Sequence, residues 1–553
     1  LPIGVIPRPT TAVFVDHLRC AVTKQDGTQK DASSKVSSVC FSIVHGYAFL
    51  NSEGDLAMTA LQAASATIDE LESILESQRA AFRTQGAPSA EVRRNRLDRL
   101  LAAVLGVSEQ LAEAHDQDYG HRPELFNLTN MAGVIGPITH AREHLEQWME
   151  PVVVADAQLP TVVDSQPLGV VGVIGPWNFP LSLVVQPAAE ALAAGNRVMI
   201  KYSDYAPRSG AVFARAIARY FSPDEVAVVQ GGPDVAARFS SLPFDHLLFT
   251  GSPAVGRLVQ EAASRNLTPV TLELGGKNPV VVAHDADITE AAHAVAAARL
   301  SNGGQICLCP DYVFVPSAKL ETFVELARQF WLETLPDYLH HEAVTTIIND
   351  QNFDRILGLI GDAVGKGARA VLGVSDDEAA SLPDRASRRI APHLLTGVTN
   401  DMLIASEEVF GPVLTVLPYD DISQVLDHIG RRPAPLAAYW LGGETDDFRA
   451  FRTYTNSGGI TRNSVSPLHY SASRDLPFGG VGMSGMGSYH GKSGFDTFSH
   501  QRVITSSESA PTATSRIITS TPEAIEAARA ELATASRVVE ERLAALGFEP
   551  REA

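Results

Sequence analysis

Apolar positions give the first outline of the chain. Ile68, Leu71, Leu75 and Phe82 fall on one side of a segment opened by Thr67-Ile-Asp-Glu70. That opening is a capping-box pattern, so a helix is predicted there. Further helical periodicity runs to about Trp148. Short apolar runs follow at Val170–Ile174, Arg197–Lys201, Val226–Val229, 247–249 and Val270–Leu274, and these predict strands. The segments between them, such as 181–194 and 255–264, read as helices. Alternating strands and helices predict an α/β fold with a parallel sheet covered on both faces. Such sheets bind ligands beyond the carboxyl ends of their strands. No internal repeat or low-complexity tract interrupts this part of the chain.

Both ends depart from the pattern. Residues 1–57 show neither helical nor strand periodicity. They carry Lys24, Lys30 and Lys35, against only Lys201, Lys277, Lys319, Lys366 and Lys492 in the long remainder. The first methionine is Met58, so residues 1–57 are expected to be foreign to the folded protein or a disordered leader. At the other end, 503–521 is Ser/Thr-rich and reads as a linker. Thr521 and Pro522 then offer a helix start. Ile525, Leu532, Val539 and Leu546 recur every seven residues before Gly547, so an amphipathic helix over 522–547 is expected, docked on its own body or on a partner subunit.

Length and charge narrow the function. At 553 residues the chain is long enough for two or three domains. Lys plus Arg number 44 and Asp plus Glu 64, a net charge of −20. That balance argues against a binder of the nucleic-acid backbone and disfavours an anionic membrane surface. No apolar run approaches about 18 residues, and the stretch 39–50 is interrupted by Ser42, His45 and Gly46. The cysteines are Cys20, Cys40, Cys307 and Cys309. They are too few for a disulfide framework, and no second Cys/His cluster completes a zinc site, so a reduced, cytoplasmic protein without a metal is expected.

Six stretches carry candidate chemistry, each with a plainer reading beside it. In Asn302-Gly-Gly-Gln-Ile-Cys307-Leu-Cys-Pro310 a cysteine follows a glycine pair after an Ala-rich helix over Ile288–Leu300. Cys307 is a nucleophile if its pKa is lowered, or else a buried structural thiol. Cys309 is a small apolar filler or a redox partner of Cys307. In Val270-Thr-Leu-Glu273-Leu-Gly-Gly-Lys277 an acid interrupts an apolar strand. Desolvation suits Glu273 to general-base work, and a salt bridge to a core arginine is the alternative. In Gly175-Pro-Trp-Asn178-Phe-Pro180, Asn178 is an oxyanion donor or a turn residue. Phe249-Thr-Gly251-Ser252-Pro-Ala-Val-Gly256 ends a strand and opens a helix, which makes an anion site without the GxGxxG fingerprint. Asp204, in Lys201-Tyr-Ser-Asp204, sits where an acid holds ribose hydroxyls or merely starts a helix. Glu407-Glu408-Val-Phe410-Gly-Pro412 is a functional acid pair or a solvated loop.

The order and spacing of these motifs resemble the aldehyde dehydrogenase superfamily from about Met58 to Arg502. Within it, the coniferyl aldehyde dehydrogenase and class 3 branches are most similar. Asp118-Tyr-Gly-His-Arg122, Arg142-Glu-His-Leu-Glu-Gln-Trp-Met149, Leu476-Pro-Phe-Gly-Gly-Val-Gly482 and Gly485-Met-Gly-Ser-Tyr-His-Gly-Lys492 carry that closer likeness. The resemblance implies a Rossmann-like cofactor domain (58–150 and 168–275), a catalytic domain (276–482) and a small β oligomerisation arm (151–167 and 483–502), assembled as a homodimer. It assigns Cys307 as nucleophile, Glu273 as general base, and Asn178 with the Cys307 amide as the oxyanion hole. Lys201 and Asp204 match the adenosine-ribose positions, and Thr250, Gly251, Ser252 and Gly256 the phosphate turn. Trp177 lines the cofactor cleft, Glu408 matches the acid on the nicotinamide ribose, and Phe410 packs beside it. The implied reaction takes an aromatic aldehyde such as coniferyl aldehyde, or a medium-chain aliphatic one, to its acid through a Cys307 thioester. Tyr202 and Asp204 stand where the family usually has Pro and Glu. An acid at 204 repels a 2′-phosphate, which favours NAD over NADP. An acylating enzyme that passes the thioester to coenzyme A, and a catalytically idle binding protein, are the competing readings. The presence of Cys307 and Glu273 argues against both.

Overall fold

The computed structural model describes residues 65–157, 159–466, 474–506 and 521–548. The expected leader at 1–57, the apolar stretch 39–50, Cys20 and Cys40, and most of the linker at 503–521 lie outside the described residues.

Local sequence rules open the helices. Ile68–Gln85 begins with the expected capping box, in which Glu70 N–H donates to Thr67 Oγ1 at 3.2 Å and Thr67 N–H to Glu70 Oε2 at 2.7 Å. Four further helices lead to Met149. The strands, in chain order, are β1 (Val152–Val153), β2 (Thr161–Pro167), β3 (Val170–Ile174), β4 (Arg197–Lys201), β5 (Val226–Val229), β6 (His246–Gly251), β7 (Val270–Leu274) and β8 (Asn278–Val282). They continue with β9 (Pro310–Pro316), β10 (Arg369–Leu372), β11 (His393–Thr396), β12 (Val413–Tyr419), β13 (Ala437–Leu441), β14 (Gly459–Arg462), β15 (Gly485–Met486) and β16 (Ser499–Thr505). The expected strand at 247–249 is longer at both ends, because β7 pairs along it as far as Gly251 opposite Leu274.

Three sheets result. The first runs β15-β7-β6-β3-β4-β5, parallel from β3 to β7, with β15 antiparallel on its edge. From β3 the chain adds β4 and β5 on one side and then β6 and β7 on the other, so direction reverses between β3 and β6. A crevice opens at the carboxyl ends of such neighbours. The second sheet runs β10-β11-β12-β9-β8-β13-β14, parallel apart from β10. Gly275 to Lys277 carries the chain from the first sheet to the second. One hydrophobic core joins them, with Val171 and Val198 from the first and Val280, Val313 and Leu414 from the second.

The third sheet is β1-β2-β16, antiparallel. It draws on 151–167 and on Ser499–Thr505. Gly485-Met486, grouped with the arm from sequence, instead extends the first sheet, and helix Gly491–Thr497 packs on helix Ser182–Ala193. The C-terminal helix spans Pro522–Ala545 with Thr521 as its cap, and Gly547 takes a φ of 67°. It has no buried residue, so docking on its own body is not seen among the described residues. A stripe of one large apolar side chain every two turns offers little area to bury. No helix among the described residues is long and apolar enough to cross a membrane.

Candidate active site

The nucleophile loop is shaped by its backbone. Helix Ile288–Leu300 ends in a turn where Asn302, Gly303 and Gly304 have φ of 51°, 64° and 77°. A β-carbon on Gly304 would collide with the carbonyl of Gly411, so the left-handed turn and the close approach both require glycine there. Gln305, fully buried, ties the loop to Thr346 and Ile348 through its side-chain amide at 3.0 Å each. Asn278 Nδ2 donates to the carbonyls of Cys307 (2.7 Å) and Cys309 (3.0 Å). The thiol of Cys307 is half-buried. Burial pushes its pKa up, and the negative charges of Glu408 and Glu273 add to this. The sequence left open a nucleophile with a lowered pKa or a buried structural thiol. The pKa is raised rather than lowered, first because the thiol is buried and then because carboxylates stand near the sulfur. Cys309 is buried in the core, its Sγ 3.3 Å from the carbonyl of Ala298, and burial lifts it to about 11. It packs as the small apolar filler of the plainer reading.

Glu273 lies on β7 opposite Thr250 of β6, so the two side chains point to the same face. The carboxyl is 3% exposed, and neither of its oxygens has a hydrogen-bond partner among the described residues. Among the described residues no core arginine pairs with it. Burial, then the negative charge of Glu190, pushes its pKa well above the ordinary carboxylate range. Glu190 sits on helix Ser182–Ala193, itself buried, and receives the His490 N–H at 3.3 Å. Burial takes it to about 8. Tyr489 is fully buried, its hydroxyl has no hydrogen-bond partner among the described residues, and it feels the charges of Glu273, Glu190 and Cys307.

Asn178 is 4% exposed and follows β3. Its Nδ2 donates to the carbonyl of Gln305 at 3.2 Å, which links it to the cysteine loop. One Nδ2 hydrogen remains for another acceptor. Its own carbonyl accepts from Arg122 Nη2 at 2.8 Å and Tyr119 Oη at 3.3 Å. Trp177 packs edge-on to Phe410, with ring centroids 5.3 Å apart. Phe410 has a φ of 48°, an unusual conformation for an aromatic residue and one often stored near functional sites.

The remaining candidates gather at the strand ends beside the β3/β6 reversal. Ser252 caps helix Pro253–Ser264 through Val255 N–H at 3.4 Å, and Gly251 precedes it. Gly256 is buried in the first turns of that helix, where a β-carbon would meet Leu274 at 2.7 Å. Thr250 is buried, and its Oγ1 has no partner among the described residues. Lys201 ends β4, and its ammonium donates to the carbonyl of Tyr202 at 2.8 Å. Asp204 is exposed. Glu408 receives a hydrogen bond from Gly276 N–H, and burial raises its pKa to about 8. Its loop is held by Arg355, which donates to the carbonyls of Glu408 (3.1 Å) and Val409 (2.7 Å), and by Lys277, whose ammonium reaches the Glu407 carbonyl at 3.0 Å. That anchoring answers the solvated-loop reading. No group of three or more metal-binding side chains occurs among the described residues.

Cys307, Glu273 and Glu408 therefore share one electrostatic neighbourhood, with Asn178 bonded two residues away from the thiol. Sequence reasoning missed Glu190, Tyr489 and the use of Arg122. Glu190 did leave a signal, a single acid in the otherwise apolar run 181–194. Arg122 and Tyr489 stand in quoted motifs, but nothing in their spacing says that they are buried.

Known proteins bear on this arrangement. The profile of the aldehyde dehydrogenase family matches residues 56–504. A coniferyl aldehyde dehydrogenase from Pseudomonas sp. (strain HR199 / DSM 7063) is 42% identical over 453 residues, covering 81% of this chain and 93% of that protein. The substrate-bound structure of AldH from Staphylococcus aureus has a TM-score of 0.74 at 31% identity, covering 80% of this chain and 95% of the other. A mutant aldehyde dehydrogenase C from Pseudomonas syringae, solved with NAD+ and octanal, has a TM-score of 0.71 at 27% identity, over 80% of this chain and 90% of that one.

Proposed function

This chain belongs to the aldehyde dehydrogenase family, and on that premise we propose that Cys307 is its nucleophile, Glu273 its general base and Asn178 its oxyanion donor. The reaction is oxidation of an aldehyde to the carboxylic acid with a nicotinamide cofactor. The observation that carries the assignment is Glu273, whose buried carboxyl has no hydrogen-bond partner among the described residues and acts electrostatically on the Cys307 thiol. A buried acid with nothing to bond is costly unless it is used.

The residues present fit the cofactor. The unpartnered Thr250 hydroxyl, the helix start at Ser252 and Glu408 lie along the crevice at the strand ends. Gly251, Ser252 and Gly256 would take the phosphates, Lys201 and Asp204 the adenosine ribose, and Glu408 the nicotinamide ribose, with Trp177 and Phe410 beside the ring. When bound, the oxidised nicotinamide supplies a hydride acceptor and a positive charge. The Cys307 thiolate attacks the aldehyde carbon. The tetrahedral adduct becomes a thioester as its carbon-bound hydrogen leaves as hydride, for which the bound cofactor would be the acceptor. Asn178 Nδ2 and the Cys307 amide hold the oxyanion, and one such donor is typically worth about 2.7–4 kcal/mol. Glu273, with its raised pKa, then takes a proton from the water that hydrolyses the thioester.

The substrate reading is an aromatic aldehyde of the coniferyl type, or a medium-chain aliphatic one, supported by the coniferyl-active relative and the octanal complex. The Asp204 carboxylate favours NAD over NADP. The first sheet serves as the cofactor domain and the second as the catalytic domain. The exposed valines of the third sheet point to a homodimer.

The test is NADH absorbance with NAD and an aldehyde panel, beside Cys307→Ala and Glu273→Gln. Turnover by the wild type, none by Cys307→Ala and a single burst by Glu273→Gln are expected. NADH formation only when coenzyme A is added would overturn hydrolysis in favour of acyl transfer.

A further inference from the structure

Arg122 is 1% exposed, and although its backbone N–H donates to Asp116 Oδ1 at 2.8 Å, its guanidinium has no carboxylate among its hydrogen-bond or ion-pair partners in the described residues. Its guanidinium instead lies over the rings of Tyr119 and Phe126, each centroid at 4.7 Å, and of Phe179 at 5.6 Å. One of its nitrogens, Nη1, is buried without a partner among the described residues. A leucine or methionine would fill this space without the desolvation cost of a charge. Structural economy therefore does not explain the arginine.

Its hydrogen bonds do. Nη2 donates to the carbonyl of Asn178 at 2.8 Å, and Nε to Oδ1 of Asn302 at 3.1 Å. Asn178 Nδ2 and Asn302 Nδ2 both donate to the carbonyl of Gln305, at 3.2 Å each. These four residues close a ring. One side is the loop after β3, the other the turn that leads to Cys307. Asn302 holds a φ of 51° within this ring.

We propose that Arg122 is a positioning residue that sets the distance between the oxyanion donor Asn178 and the Cys307 loop. Only a planar, forked donor reaches both loops at once, and the aromatic box fixes the plane of the fork. The proposal rests on the assignment of Cys307 and Asn178 given above. A misplacement of about 1 Å in such a pair costs on the order of 100-fold in rate.

The test uses the full chain. Arg122→Met should leave the melting temperature close to that of the wild type, since removing a buried charge offsets the loss of the donor to Asn302 Oδ1. Its KM for NAD should stay within about twofold, while kcat and the rate of the NADH burst fall by roughly 30- to 100-fold. Arg122→Lys, which keeps the charge without the fork, should show most of the same loss. Asn302→Gly keeps the left-handed turn and cuts the ring at another point, so Arg122→Met combined with Asn302→Gly should be no slower than the worse single variant. A wild-type burst rate in Arg122→Met overturns the proposal, as do fully multiplicative losses in the double variant. If Arg122→Met does not fold, the loss expected in Asn302→Gly carries the test, and a wild-type burst rate there overturns the proposal. Cys307→Ala separates the two readings. Activity in that variant defeats the assignment of the nucleophile, whereas an inactive Cys307→Ala beside a fully active Arg122→Met defeats the positioning role alone.

Discussion

Gly275 and Glu408 touch so closely that a β-carbon on Gly275 would overlap the Glu408 carboxylate. Gly275 is not among the residues with positive φ, so its lack of a side chain serves this contact rather than a special backbone conformation. Gly275→Ala should push Glu408 off its hydrogen bond from Gly276. With Glu408 on the nicotinamide ribose, KM for the cofactor should rise about tenfold, or ~1.4 kcal/mol, with little change in melting temperature. Steady-state kinetics with the cofactor varied gives the answer, and an unchanged KM would remove Glu408 from the cofactor site.

The pair Glu190 and Glu273 predicts a pH effect. Glu190 raises the pKa of Glu273, and a general base works only when deprotonated. Glu190→Gln removes that charge, so the acidic limb of the kcat profile should move to lower pH.

Stability should respond to the same substitution. Glu190 has a folded pKa of about 8 against an ordinary 4.5, so between these values the folded state binds more protons than the unfolded one. Its contribution is present below the ordinary value and is lost as pH rises through about 8. The melting temperature of Glu190→Gln relative to wild type should therefore climb from about pH 5 to about pH 9. A constant difference in thermal shift across that range would contradict the burial of this group.

Cys309 should prove dispensable for chemistry. Cys309→Ala trims a packed core side chain and should cost about 1–2 kcal/mol of stability. Turnover and the burst should stay at wild-type levels. A large loss of activity would revive a redox role for the second thiol.

The third sheet carries an apolar row across its three strands. Val152 and Val503 both face Val163 in register, and the two outer residues are each 64% exposed. Directly opposed residues share a sheet face, so the row presents one contiguous apolar strip. Val152→Asp with Val503→Asp should convert a dimer to a monomer, read by light scattering after size exclusion. A wild type that is already monomeric would refute this interface.

Much of the fold was legible because strand and helix periodicity is local. Each strand expected in the first sheet formed within two residues of its expected ends, and Thr67 and Thr521 capped the helices they were expected to cap. Legibility failed where an outcome depends on distant partners. Gly485-Met486 was grouped with the arm, yet its pairing is decided by the free edge of β7. The C-terminal heptad stripe is real in the sequence, but docking needs a complementary face, and none covers it among the described residues.

The chemistry divides in the same way. Sequence by itself determined which groups are available: a cysteine after two glycines, an acid in an apolar strand, an asparagine at a strand end, and an acid before an aromatic residue. Residue type and spacing are covalent facts. The tertiary structure alone decided how those groups are tuned. It buried Cys307 and placed Glu408 and Glu273 near it, so that the thiol is held up rather than down. It set Glu190 near Glu273, and it buried Arg122 between two loops with no counter-ion among the described residues. Electrostatic energies depend on distance and dielectric, which exist only once segments far apart in the chain are packed together.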